Sequence, residues 1–128
     1  MANLLLQSAP RLSAEDWSLL DEAVDGLEQS WRTTHTGDVT RFVPPAGHAM
    51  RGRVLVDLIK VDQEYRWASG QKHLLEAYLA DWPELGGTPH VVGELLEAEC
   101  LTRAAFDRLP AREELHSRFP QIAEEIDL

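Results

Sequence analysis

Three side chains in the second half of the sequence have the spacing of a metal-binding helix face. His90, Glu94 and Glu97 are separated by four and then three positions, which brings them to one side of an α-helix. An imidazole and two carboxylates are ordinary ligands of divalent metals. The same spacing is typical of a solvated helix face, which is the interpretation we favour. A small metal-dependent enzyme is therefore the alternative function, and the prediction is that no cofactor or metal is bound.

Two further glutamates, Glu64 and Glu99, could do acid/base chemistry. Each lies near the buried edge of a predicted helix, beside Tyr65 or Cys100. An unpaired carboxylate in that position is costly, so each needs a partner. One interpretation is a catalytic or ligand-binding acid. The other, which we favour, is structural: each glutamate caps a neighbouring short helix or pairs with an arginine, namely Arg66, Arg103 or Arg112. Both glutamates are then predicted to occupy equivalent positions and to tie a long helix to the following short one.

The sequence is otherwise poor in catalytic patterns. It contains no HExxH, GxSxG, P-loop or GxGxxG motif, and the remaining histidines show no paired spacing. The single cysteine, Cys100, excludes an intramolecular disulfide and is predicted to be a small buried apolar residue. These observations favour a protein that is not an enzyme.

Acidic residues outnumber basic ones along the whole chain. There are 22 Asp and Glu against 12 Lys and Arg, a formal net charge of −10. Such a surface repels phosphate backbones and anionic lipid, so we expect neither nucleic acid nor a membrane as partner, and a protein partner instead. A short basic cluster at Arg51 and Arg53 is the exception. No export signal or membrane span is evident, which predicts a cytoplasmic location.

Apolar residues recur with helical rather than strand periodicity throughout. The pattern predicts an all-α single domain of five to seven helices, in which long and short helices alternate. Ser13 begins the first helix with a capping box, Gly70 ends the central helix, and Thr88-Pro89 begins a third long one. Seven residues on the apolar faces are predicted to be buried: Trp17, Leu20, Leu58, Val61, Tyr65, Leu95 and Phe119.

A degenerate repeat accounts for this alternation. Two copies end in an aromatic residue followed by proline, Trp82-Pro83 and Phe119-Pro120. After an N-terminal extension, residues 1–12, the repeats cover about 17–45, 50–85 and 88–122, which is typical of a stacked helical scaffold. Glu64 lies 19 positions before Pro83 and Glu99 lies 21 before Pro120, so the second of these copies is predicted to have a loop two residues longer.

The four tryptophans divide into two pairs. Trp17 and Trp31 follow the apolar stripe of the first helix and are predicted to lie in the core. Trp67 and Trp82 lie near the ends of repeats, where they either seal a core edge or form a binding hot spot. Together with Arg51 and Arg53 they form the candidate interaction surface.

The ordered series of residues 54–67, Gly70, Leu75 to Leu79 and Trp82 to Leu85 resembles a known segment. It is similar to the region preceding the catalytic domain in planctomycete-type bacterial serine/threonine protein kinases, and the resemblance covers about residues 20–126. It implies a non-catalytic regulatory or interaction role, with a kinase domain or a second copy as the partner. The sequence departs from the family in having Cys100-Leu101-Thr102 where a Tyr-Arg pair is usual. It also lacks the glycine-rich loop, HRD and DFG motifs of a kinase.

Overall fold

The computed structural model describes residues 12–124, which form six α-helices and two 3-10 turns. There is no strand in this part of the chain, so the all-α prediction is confirmed. The chain divides into two compact units, Met1–Leu55 and Val56–Leu128. The elements, in chain order, are α1 (Ala14–Thr34), a 3-10 turn (Val39–Arg41), α2 (Arg51–Ala68), α3 (Leu75–Asp81), a second 3-10 turn (Pro83–Gly87), α4 (Pro89–Phe106), α5 (Arg112–Arg118) and α6 (Pro120–Ala123).

The predicted capping box begins α1. Ser13 Oγ accepts a hydrogen bond from the backbone N–H of Asp16 at 3.1 Å, and the Asp16 carboxylate accepts one from the Ser13 N–H at 3.0 Å. Two N–H groups that the helix would otherwise leave open are thereby satisfied. The helix ends at Thr34, and His35 caps it: the backbone of His35 adopts the left-handed conformation with φ of 57°, and its N–H bonds to the Trp31 carbonyl at 3.0 Å.

Two glycines in the first unit allow aromatic rings to approach the backbone. A Cβ atom on Gly26 would lie 2.6 Å from the ring of Phe42, and one on Gly37 would overlap the indole of Trp31. Trp31 itself is buried, as predicted. Any side chain larger than hydrogen at these two positions would displace an aromatic ring.

The prediction that Trp17 lies in the core is wrong. Its side chain is 49% exposed, whereas Leu20, one turn further along the same stripe, is buried. Periodicity identifies the face of a helix that turns inward, but burial also requires that a neighbouring segment reaches that turn. Within residues 12–124, Leu20 is the first buried position of α1.

The second unit has a core made by the long helices α2 and α4 and the short helices α3 and α5. Leu58 and Leu95 are fully buried, as predicted. Val61, Tyr65 and Phe119 are only half-buried, so the prediction overstated their burial. The remaining core residues of this unit include Ile59, Leu75, Tyr78, Leu96 and Leu115.

The aromatic-proline ends of the two short helices have matching geometry. The N–H of Trp82 bonds to the Tyr78 carbonyl at 2.9 Å, and the N–H of Phe119 bonds to the Leu115 carbonyl at 2.8 Å. Backbone angles at the two aromatic residues are also close, with φ, ψ of −128°, 78° and −138°, 70°. Each following proline then begins a new helical turn, where its missing N–H costs nothing.

The two copies are related by a shift of 37 positions in the short helices. Leu75–Asp81 corresponds to Arg112–Arg118, and Pro83 corresponds to Pro120. The connection from long to short helix covers residues 69–74 in the first of these copies and 107–111 in the second. The predicted longer loop in the second copy is therefore wrong. In the loosest copy, at about residues 17–45, a 3-10 turn occupies the place of the short helix.

None of the helices in residues 12–124 has the length and apolar character needed to cross a bilayer.

Candidate functional site

Glu99 is the centre of the most unusual group of side chains in the second unit. It lies on α4, and its side chain is completely buried. Its Oε1 accepts hydrogen bonds from the backbone N–H of Leu75 at 2.8 Å and from Arg118 Nη2 at 2.9 Å. Its Oε2 accepts from Arg118 Nη1 at 2.8 Å and from Arg103 Nη1 at 3.4 Å. Four donors occupy a carboxylate that has about four acceptor positions.

Arg118, at the end of α5, joins three helices through its guanidinium group. Besides its two bonds to Glu99 on α4, it donates to both carboxylate oxygens of Glu76 on α3, at 2.7 and 2.5 Å. It also donates to Glu114 within α5 at 2.9 Å. A planar guanidinium with five donors suits such a site because it can pair bidentately with two carboxylates at once.

Arg103 closes the group on its other side. It donates to both carboxylate oxygens of Glu114, at 2.5 and 3.2 Å, and its guanidinium lies 5.1 Å from the centroid of the Trp67 ring. We call Glu76, Glu99, Arg103, Glu114 and Arg118 the arginine–glutamate cluster. It contains three carboxylates and two guanidinium groups.

Hydrogen bonds between arginine and glutamate set the direction of the pKa shifts in this cluster. Bonds from Arg118 hold the pKa of the Glu76 carboxyl below its ordinary value, and bonds from Arg103 do the same to the pKa of Glu114. Burial would lower the pKa of Arg118, but its bonds to Glu76 and Glu99 outweigh burial and raise it. The hydrogen bonds from the two arginines thus favour the charged forms of Glu76 and Glu114.

The preceding copy contains a smaller group of the same design around Asp62. This buried carboxylate accepts hydrogen bonds from Arg66 Nε and from the Tyr78 hydroxyl, both at 2.6 Å. Burial and the nearby Asp62 carboxylate raise the pKa of Tyr78. Asp62 and Glu99 lie 37 positions apart, as do Arg66 and Arg103. In both copies an acid on the long helix pairs with an arginine four residues on and with a side chain of the following short helix.

The predicted equivalence of Glu64 and Glu99 is therefore wrong. The predicted interaction, a buried acid on a long helix bonded to the following short helix, is present in both copies. Glu64 is exposed, and the true counterpart of Glu99 is Asp62. Glu99 does tie its long helix to the following short one, through Arg118. The sequence signal for the correct register is a pair of residues, an acid and an arginine four positions later, that recurs 37 positions further along, at Asp62-Arg66 and Glu99-Arg103. The same spacing at Glu28-Arg32 and Glu114-Arg118 does not recur at that distance.

A surface groove lies between α2 and α4. It has a volume of about 400 Å³, and we call it the acidic groove. Leu101 on this surface is 64% exposed, more than any other large apolar side chain in the described residues. Lys60 pairs with Glu94 across it at 3.4 Å. Its lining residues are Lys60, Glu64, Glu94, Glu97, Ala98, Leu101 and Thr102.

The metal-site alternative finds no support in the geometry. Glu94 and Glu97 line the acidic groove together with Glu64, but His90 does not. Within residues 12–124 no three His, Cys, Asp or Glu side chains are placed to hold a metal ion. Glu99, the other candidate acid, lies outside this groove with its oxygens already bonded.

The remaining candidate residues differ in their environments. Trp67 is only 4% exposed and donates its indole N–H to the His73 carbonyl at 3.2 Å, so it seals the core and offers no surface for a partner. Trp82 is half-buried and Arg53 exposed. Arg51 donates to the Pro44 carbonyl at 2.7 Å. Cys100 is buried, as predicted, and burial raises the pKa of its thiol to about 11, which makes it a poor nucleophile at neutral pH.

Comparison of the chain with family models, with curated proteins and with solved structures yields no match. The resemblance to the pre-catalytic segment of bacterial kinases accordingly stays a prediction.

Proposed function

We propose that this chain is a non-enzymatic protein-interaction module, and that α2 and α4 present its binding surface. The observation that carries the proposal is the exposure of Leu101 in the acidic groove. A leucine that is 64% exposed beside carboxylates contributes little to the core, whereas it can contribute apolar contact area to a complex.

The environment of Glu99 argues against a catalytic role for this residue. A general acid or base must reach the proton that it transfers, either directly or through one water molecule. Glu99 is fully buried, and its hydrogen bonds to Leu75, Arg103 and Arg118 use its acceptor positions. The carboxylate of Glu99 therefore stabilises the packing of α3, α4 and α5.

The resemblance to the kinase segment extends the proposal to regulation. On that basis the partner is a kinase domain or a second copy of the chain, and the location is the cytoplasm. The net charge of −10 supports a protein partner over nucleic acid, because a phosphate backbone would be repelled.

Site-specific photocrosslinking tests the proposal. A benzoylphenylalanine placed at position 101 should capture a defined partner in cells, whereas the same residue at position 109, where Leu109 is 47% exposed outside the groove, should not. The purified partner should then bind the unmodified chain with a fixed stoichiometry in calorimetry. Absence of a partner specific to position 101 would contradict the proposal.

A metal assay distinguishes the enzymatic alternative. The purified chain should contain no stoichiometric divalent metal, and added divalent cations should leave its thermal midpoint unchanged. A bound metal whose stabilising effect is lost in Glu97→Gln would instead favour a metal-dependent enzyme.

A further inference from the structure

We infer that the acidic groove binds a basic amphipathic helix of a protein partner. This inference rests on the proposed function and adds the chemistry and the secondary structure of the segment that is bound. Leu101 would contact the apolar face of that helix, and the groove glutamates would pair with its lysine and arginine side chains.

The groove is formed by equivalent faces of two repeated helices. Under the shift of 37 positions Lys60 corresponds to Glu97, and Glu64 corresponds to Leu101, and all four line the groove. In stacked helical repeats, successive units together form the extended surfaces that bind partners. The groove is thus lined by the same helix face from two successive repeats, and Leu101 is the apolar residue at the position that Glu64 occupies in the preceding repeat.

The charges around the groove favour a cationic segment. Three of its lining residues are glutamates, and Lys60 is the single base, already paired with Glu94 at 3.4 Å. The net charge of the whole chain has the same sign. Complementary potentials steer association, whereas an acidic segment would be repelled both at a distance and at the groove.

Helix-in-groove binding is the recognition mode that this surface suits. Strand addition requires an open sheet edge, and residues 12–124 contain no strand. Polyproline segments bind grooves lined by aromatic rings, and the lining of this groove includes none. Glu94, Glu97, Ala98 and Leu101 instead follow the spacing of one helix face, against which anchors at successive turns of a bound helix can pack.

The test uses a fluorescently labelled model helix of about 18 residues, with leucines on one face and lysines on the other, in anisotropy titrations. The intact chain should bind this peptide and should bind the matched peptide with glutamates in place of lysines at least about tenfold more weakly. Leu101→Ala and Glu97→Gln should each weaken binding of the lysine peptide by about fivefold or more.

Two exposed residues of the same unit provide matched controls. Leu109→Ala removes an exposed leucine outside the groove, and Glu113→Gln removes an exposed acid on α5. Both should leave binding within about twofold of the original chain. Equal losses in Glu97→Gln and Glu113→Gln would show that net charge alone attracts the peptide, and equal losses in Leu101→Ala and Leu109→Ala would show that the groove is not the site. Either result would overturn the inference.

The inference and the proposed function can fail separately. If the lysine peptide does not bind, or if the glutamate peptide binds as well, the inference is overturned. A partner crosslinked from position 101 would in that case still uphold the interaction function. If position 101 also captures no partner, both are overturned.

Discussion

In the two consecutive copies of the repeat, a buried acid joins the long helix to the following short helix, but the bonding partner on the short helix differs. In the first, the buried Asp62 carboxylate reaches the short helix through the neutral hydroxyl of Tyr78. In the second, the buried Glu99 carboxylate reaches the short helix through the charged guanidinium of Arg118. Both acids also pair with an arginine four residues further along their own helix.

The difference predicts unequal sensitivity to mutation. A hydroxyl that loses its acceptor remains neutral, whereas a buried guanidinium that loses a carboxylate keeps a charge that is expensive to leave uncompensated. The second copy also uses Glu99 to accept the N–H of Leu75, at the beginning of the preceding short helix. Its acid therefore supports α3 as well as α5, and the second copy should tolerate loss of its acid poorly.

The largest expected effect is that of Glu99→Ala. Removing the carboxylate leaves Arg103 and Arg118 short of a buried counter-charge and the Leu75 N–H without its acceptor. We expect a loss of about 3–5 kcal/mol in the free energy of unfolding, measured by urea denaturation. Glu97→Ala, an exposed change on the same helix, should stay within about 0.5 kcal/mol. Similar losses in the two variants would refute the structural role of Glu99.

Tyr78→Phe should have an intermediate effect. It removes the hydroxyl that donates to the buried Asp62 carboxylate at 2.6 Å and leaves the aromatic ring in the core. Loss of a hydrogen bond to a charged group should cost about 1–3 kcal/mol in the same urea experiment. A cost equal to that of Glu99→Ala would mean that the neutral and charged designs are equivalent, which contradicts the comparison.

Acid should weaken the arginine–glutamate cluster through Glu76 and Glu114. Their pKa values are lowered in the folded protein, so the stability they contribute is present above their ordinary value of 4.5 and is lost as the pH falls through the folded value. Both side chains are partly exposed, so solvent reduces the effect. The urea concentration at the midpoint of unfolding should decrease as the pH is lowered below about 4.5. This decrease with pH should be smaller in a Glu76→Gln, Glu114→Gln double variant.

The smallest effect is expected at Glu64. Because this residue is exposed on the acidic groove, Glu64→Gln should change the free energy of unfolding by no more than about 0.5 kcal/mol. The same substitution should weaken the lysine peptide in anisotropy titrations. A large loss of stability would restore Glu64 as the counterpart of Glu99 and would remove the register of 37 positions.

Local signals in the sequence were sufficient for the helices and their ends. The capping box at Ser13 and the aromatic-proline ends at Trp82 and Phe119 depend on hydrogen bonds between near neighbours, and all three are confirmed. Gly70 follows the end of α2 with φ of 84°, a conformation that favours glycine. Each of these features is determined within a few residues.

Features that depend on distant residues were predicted less well. Glu64 was matched to Glu99 by residue type, whereas the buried positions follow Asp62 and its arginine partner. Trp17 lies on the correct stripe of α1, but its side chain is 49% exposed, and among the described residues the buried positions of this helix begin at Leu20. The role of Arg118 could not be predicted from its sequence neighbours, because two of the three carboxylates that it binds are on α3 and α4 and approach it only in the folded chain.

The most direct test of the account is a double-mutant cycle between Glu99 and Arg118. The central claim is that this pair fastens the long helix α4 to the short helix α5. Urea denaturation of Glu99→Ala, Arg118→Ala and the double variant gives the coupling energy. The account predicts that the double variant is about 1–3 kcal/mol more stable than the sum of the single losses implies. Losses that add to within about 0.5 kcal/mol would contradict it.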